Sequence, residues 1–368
     1  MFKKIFKCST IIGASILPIT AVQADGHAKT YGPFPVTLQN YSGDKENSVS
    51  YSGQIARHVL HDSLKVLAGR GDGGSNSASL EAEMLAYFSG SDKNKAILAP
   101  LTKDAFVIKQ GTLNEISKGK NIEGKFYNGA MAAWPGSMKG REVAFHMIKR
   151  ASIANKGFDA ENGYDWAQLI SKFTMGAMAY NQAVDNYLDE KLDADNKPNN
   201  KPYKDGTAYT GKEHVWDEGF GYFGAAAHTL ALTADQAYGI AKRKDAASAD
   251  ANGDGLIDLK SEMVFGPAYY AAAFDRSGTK STNYLNTIMQ AYVDGRMLIT
   301  SANGTVLTDM QRSSLKSYAA VVESNWEKVL AEAVFKYAGS VYKDISKCKK
   351  MVQTLPKYTV PMSSTGVN

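Results

Sequence analysis

The chain has 368 residues, 44% hydrophobic and 21% charged, which is enough to bury a sizeable core and excludes a disordered protein. Its formal net charge of +5 includes three lysines within the first 24 residues, and the +2 left without them is too small to argue for nucleic acid. The six histidines and two cysteines form neither an HExxH nor a CxxC pair, so the usual zinc-enzyme and redox motifs are absent.

At the start, Lys3, Lys4 and Lys7 precede an apolar run from Ile11 to Val22, and small residues follow. This predicts a signal peptide over 1–24, cleaved after Ala24, and a periplasmic or cell-surface location. No later stretch approaches the roughly 20 apolar residues that a membrane-spanning helix needs. An oxidising compartment would permit disulfides, but Cys348 would then be the lone cysteine, expected as a buried or inert thiol beside Lys347, Lys349 and Lys350. Residues 25–47 read as an N-terminal extended segment.

From there on the dominant period is helical. Apolar residues at steps of three and four predict amphipathic helices over 51–69, 140–156, 164–188, 282–301 and 315–345. The stretch 164–188 is the clearest, with Trp166, Leu169, Ile170, Phe173, Ala177, Tyr180, Val184 and Tyr187 in register. Alternating apolar and polar runs are scarce, so the fold class is all-α. Loops rich in Gly, Ser, Asn and Lys at 69–79 and 193–212 interrupt it. The second separates helical halves at 48–192 and 213–345 within one continuous body, and residues 346–368 read as a C-terminal tail.

The segment "EHVWDEGFGYFG", Glu213 to Gly224, carries chemistry on an otherwise apolar helix. At about 100° per residue, His214 and Glu218 lie about 40° apart, with Asp217 about 60° to the other side of His214. All three share a face, on which Gly221, Ala225 and His228 would follow, while Trp216, Phe220 and Phe223 oppose it. Buried carboxylates need partners. Two answers are open: Arg57, Lys172 or Arg296 neutralises them, or His214, Asp217 and Glu218 form half of a site for iron or zinc, since imidazole and carboxylate suit such ions.

A second motif follows in "DANGDGLIDLKSE". Asp250, Asn252 and Asp254 stand at positions one, three and five, Gly255 supplies the sharp turn, the Leu256 carbonyl falls at seven and Asp258 at nine. This is an EF-hand-type calcium loop, except that Ser261 occupies position twelve and Glu262 comes one residue late. A metal-free turn rich in Asp and Asn is the alternative. Any calcium here, between two helical segments, is expected to be structural.

Together, "YSGQIAR" (51–57), "SKFTMGAMAYNQAVDNYL" (171–188), "EHVWDEGFGYFGAA" (213–226), the calcium-type loop running into "SEMVFG" (261–266) and "NWEKVLAEAVFKY" (325–337) resemble the bacterial DUF4856 family, which is similar to imelysin. The resemblance spans about 48–345. It implies an all-helical fold of two bundle-like halves, export, and an association with iron regulation. Imelysin's GxHxxE signature transfers only in part: His214 can stand for its histidine, but Asp217 lies three residues on, Glu218 comes next, and Gly211 is one position too far upstream.

Three classes of function follow. The favoured one is an exported, non-catalytic metal-binding protein associated with iron uptake, whose partner is a receptor or transporter. The second is a calcium-stabilised module that binds polysaccharide or a surface partner. The third, a metallopeptidase of the M75 type, needs an open metal position and a general base, for which only His214 and Glu218 offer themselves.

Overall fold

The computed structural model describes residues 29–354 except 133 and 279, with backbone alone at 135 and 352–354. The expected signal peptide and the chain beyond 354 lie outside the described residues.

Helices α1 (Ser52–Ala68), α2 (Ser77–Phe88) and α3 (Gly140–Ile153) come first, with a long irregular stretch of short 3₁₀ turns between the last two. A hairpin of two-residue strands, β1 (Phe158–Asp159) and β2 (Tyr164–Asp165), pairs antiparallel. Then α4 (Trp166–Thr174) runs on through a π-helical stretch, Met175–Glu190, into the short α5 (Lys191–Asp193). After a loop come α6 (Gly211–Phe223), α7 (Ala234–Ala241), α8 (Ala246–Ala249), α9 (Gly266–Ser277), α10 (Tyr284–Ser301) and the long α11 (Asp309–Thr354). The fold is all-α in class.

All five helices expected from periodicity form, with differences at their ends and in their winding. The helix expected over 164–188 starts at Trp166 and is wider-wound from Met175, a change of pitch that apolar steps of three and four do not reveal. The tail expected from 346 is helical to Thr354, because α11 continues unbroken. Cys348 is exposed on it, not buried.

The core is organised around α6. Val215, Trp216, Phe220 and Phe223 are fully buried between α1, the π-helical stretch and α10. Glycine makes this crossing possible: a methyl group on Gly221 would meet Gln54 Cβ at 2.7 Å and Tyr51 Cβ at 2.8 Å, so α1 packs directly on α6 backbone. Across the helix, Trp216 Nε1 donates to the Tyr292 carbonyl at 2.7 Å, which ties α6 to α10.

The segment 29–51 is no loose leader. It pairs Pro35 with Asn47, donates from the Tyr31 amide to the Ala227 carbonyl at 2.7 Å, and buries Tyr31 and Phe34 against the core. Tyr31 stacks on Phe220 with ring centroids 3.7 Å apart.

Candidate functional site

Helix α6 begins with a reciprocal cap. Thr210 Oγ1 accepts from the Glu213 amide at 3.1 Å, while Glu213 Oε2 accepts from the Thr210 amide at 2.8 Å. The other carboxylate oxygen of Glu213 turns inward to Arg296 Nη1 at 3.1 Å. One turn on, Asp217 Oδ1 meets Arg296 Nε at 3.0 Å, and all three side chains are fully buried. Segment 29–51 closes the cluster: the Tyr31 hydroxyl donates to Asp217 Oδ1 at 2.7 Å, the Ser50 amide to Oδ2 at 2.8 Å, and Thr37 Oγ1 to Glu213 Oε1 at 3.0 Å. Arg296 also donates to Ser48 Oγ at 2.6 Å and Thr300 Oγ1 at 2.7 Å, and the Phe34 ring lies 4.9 Å from its guanidinium carbon.

Burial works against the Arg296 charge, but Asp217 and Glu213 more than offset it and hold the guanidinium above its ordinary pKa. Burial and the Asp217 charge likewise hold the Tyr31 hydroxyl well above its usual range, so it stays a donor. With its charge answered and its oxygens engaged, Asp217 is a structural ion-pair partner. Of the three residues grouped from the sequence as one metal set, Asp217 is thus engaged by Arg296, while His214 and Glu218 pair with each other.

His214 and Glu218 do meet, Nε2 to Oε1 at 3.7 Å, in a niche where each side chain is 12% exposed. Gln54 of α1 donates to Glu218 Oε1 at 2.7 Å. The imidazole lies between two tyrosines, stacked on Tyr209 at 4.6 Å and tilted against Tyr203 at 4.2 Å. Burial lowers its pKa against the pull of Glu218, which favours the neutral, ligand-competent ring. Neither His214 Nδ1 nor Glu218 Oε2 has a well-formed hydrogen bond. The charge of Glu218 is felt by Lys120, Lys125 and Lys191, so the surroundings of the niche are basic. His228 is not on this helix at all: Gly224, at φ 75°, ends α6 in the left-handed conformation, and His228 beyond it bonds the Ser248 carbonyl at 2.8 Å.

The calcium-type loop is folded around its own amides. Asp250 Oδ1 accepts from the Gly253 and Asp254 amides and Oδ2 from Gly255, while Asn252 Oδ1 accepts from Asp254 and Asp254 Oδ1 from Leu256. Asp258 Oδ1 takes hydrogen bonds from Gln110 Nε2 at 2.7 Å and the Lys260 amide. The late Glu262 is buried and reaches back across the loop, Oε1 accepting from the Ala251 amide at 3.1 Å and Oε2 from the Asp258 amide at 2.7 Å. Ile257 is pinned by a parallel bridge to Ile108, and Lys109 Nζ sits 3.3 Å from Asp254 Oδ2. Among the described residues no three His, Cys, Asp or Glu side chains converge in an arrangement able to hold a metal ion, here or in the niche.

Of the neutralising donors considered from sequence, Arg296 takes that role for Asp217. Arg57 instead donates to the Asn121 and Gly53 carbonyls, and Lys172 faces a separate cavity. Gln54 and the covering residues Tyr31, Thr37, Ser48 and Ser50 were not foreseen. One signal was available for Arg296, a charged residue in register with Met289, Tyr292 and Ile299 on an apolar stripe.

Among the described residues no helix is long and apolar enough to cross a membrane. No curated protein and no solved structure matches the chain. The family model described as a domain of unknown function, DUF4856, matches residues 39–316, an interval holding Glu213, Asp217 and Arg296, the His214 niche and the calcium-type loop, but not Tyr31, Phe34 and Thr37, which cover the ion pairs. The chain belongs to the DUF4856 family.

Proposed function

We propose that this is an exported, non-catalytic metal-binding protein whose fold is fixed by calcium in the loop from Asp250 to Glu262. The observation that carries this reading is the course of Glu262. Although it is one position late, its carboxylate already lies over the loop, within hydrogen-bonding reach of the second and ninth loop residues. The donor set of Asp250, Asn252, Asp254, Asp258, Glu262 and the Leu256 carbonyl is all oxygen, as calcium requires. Its carboxylates now bond backbone amides, so calcium would draw them inward and displace Lys109 from Asp254.

Melting curves with calcium and with a chelator test the proposal. Binding to the folded state alone, at 100 times the dissociation constant, adds about 2.7 kcal/mol. Equal midpoints overturn it, and Asp254→Ala is expected to abolish the difference.

A second reading keeps a transition ion, iron or zinc, at His214 and Glu218, and with it a connection to iron uptake. It is favoured by the imidazole, which burial keeps neutral, lying 3.7 Å from the Glu218 carboxylate. With two protein ligands the remaining positions would fall to water or to a partner's groups.

A further inference from the structure

Farther along α1 a separate cavity of about 720 Å³ opens between α1, α4, the end of α7 and the start of α9. Its size suits a metabolite. Four cationic side chains from three segments line it: Lys65 of α1, Lys172 of α4, and Lys242 with Arg243 just after α7. The single acidic group in the lining is Asp62. Among the described residues none of the four cations forms an ion pair with a carboxylate. Lys242 lies over the Tyr269 ring at 4.3 Å, Lys172 over Tyr270 at 5.2 Å, and Arg243 donates to the Leu101 carbonyl at 2.8 Å.

Such a concentration of one sign in a partly enclosed space opposes itself. Lys65 shows the effect, because burial, and then the nearby charge of Lys172, lower its pKa even though Asp62 pulls the other way. Arg243 is moreover held at φ 54°, a left-handed conformation that a non-glycine residue adopts at some cost. A surplus of positive charge around a partly enclosed cavity is relieved by an anion.

We infer that this cavity binds a metabolite-sized organic oxyanion whose carboxylate or phosphate groups are held by Lys65, Lys172, Lys242 and Arg243. Tyr269 and Tyr270 offer an apolar wall to the body of such a ligand. The inference is independent of the calcium loop and of the His214 niche, neither of which contributes a side chain named here.

Calorimetric titration of the full chain, in saturating calcium, is the test. Tricarballylate probes for carboxylate recognition and fructose 1,6-bisphosphate for phosphate recognition. One of the two is expected to bind with one-to-one stoichiometry, and which one binds identifies the oxyanion. Lys172→Gln and Lys242→Gln should each weaken that binding about tenfold, while Lys328→Gln, on the exposed side of α11, leaves it unchanged. Lys242 is exposed, so its variant keeps the fold, and melting curves verify this for both. Saturable binding of neither probe, or affinities indifferent to the cavity variants, overturns the inference.

Discussion

Arg296 Nε lies 3.0 Å from Asp217 Oδ1 where neither side chain reaches water, and the same guanidinium holds Glu213 at 3.1 Å. Breaking such a cluster strands a buried charge, which costs about 3 to 5 kcal/mol. Arg296→Leu leaves two carboxylates uncompensated and should be the more damaging change. Asp217→Asn leaves Glu213 to answer the guanidinium. Urea denaturation ranks them, and a loss under about 1 kcal/mol for Arg296→Leu would contradict the ion-pair account.

The close crossing of α6 and α10 gives a steric prediction. A methyl group on Gly295 would stand 2.1 Å from Trp216 Cζ2, and the indole is locked by its hydrogen bond to Tyr292. Gly295→Ala must therefore displace Trp216 or part the helices, and overpacking of this kind costs about 1 to 3 kcal/mol. Thermal melts should show the loss, together with a shift in tryptophan fluorescence.

Buried imidazoles set the acid limb of stability. Burial lowers His58 to about 4 and His61 to about 3. Between those values and the ordinary 6.5 the unfolded chain binds protons that the folded chain refuses, so stability rises with pH across that window and is complete above it. Asp62 acts in the opposite sense. Burial raises it to about 7 against Lys65, Lys172 and Arg243, so the folded state keeps a proton the unfolded state releases, and stability falls as pH rises from 3.8 towards 7. Two histidines outweigh one carboxyl, so these three groups together predict stability that rises with pH from about 4 to 6.5. His58→Gln should flatten the slope between pH 4 and 6.5; an unchanged slope would contradict it.

What was legible in the sequence follows from how locally each feature is encoded. Helices α1, α3, α10 and most of α11 declare themselves through apolar spacing, and the loop from Asp250 to Glu262 through ligands each four residues or fewer from the next. The Arg296 cluster unites Tyr31, Ser50, Asp217 and Arg296, residues up to 265 positions apart whose meeting depends on how α10 crosses α6. The segment around Tyr31 has no period at all, so its role as the lid of that cluster could not be read. Placing Asp217 and Glu218 on one face was sound helix geometry, but their side chains part company because α1 packs beside one and α10 beside the other.

Glu262, and not Ser261 at the regular twelfth position, is the expected closing group of the calcium loop. Glu262→Gln removes one charge without changing shape and should weaken calcium about tenfold or more, about 1.4 kcal/mol per decade. Ser261→Ala should leave affinity within about twofold, since its backbone carbonyl, which accepts from Ala227, is untouched. Titration with a calcium indicator compares them, and the reverse ranking would reassign the loop's geometry.

The niche of His214 and Glu218 decides whether the protein handles a transition ion. If it does, zinc should bind the wild type at micromolar concentration, and His214→Ala and Glu218→Gln should each abolish uptake. The Glu218→Gln side chain retains a carbonyl to accept from Gln54, so its fold should survive and the loss will report on the ligand itself. Asp217→Asn should keep zinc, because Asp217 faces Arg296 instead of the imidazole. Asp254→Ala should keep it too, which separates this site from the calcium loop. Lys120, Lys125 and Lys191 weaken any cation here, so Lys120→Gln should strengthen zinc binding. Wild-type protein that takes up no zinc under these conditions would leave His214 and Glu218 as a partly buried polar pair beside the core.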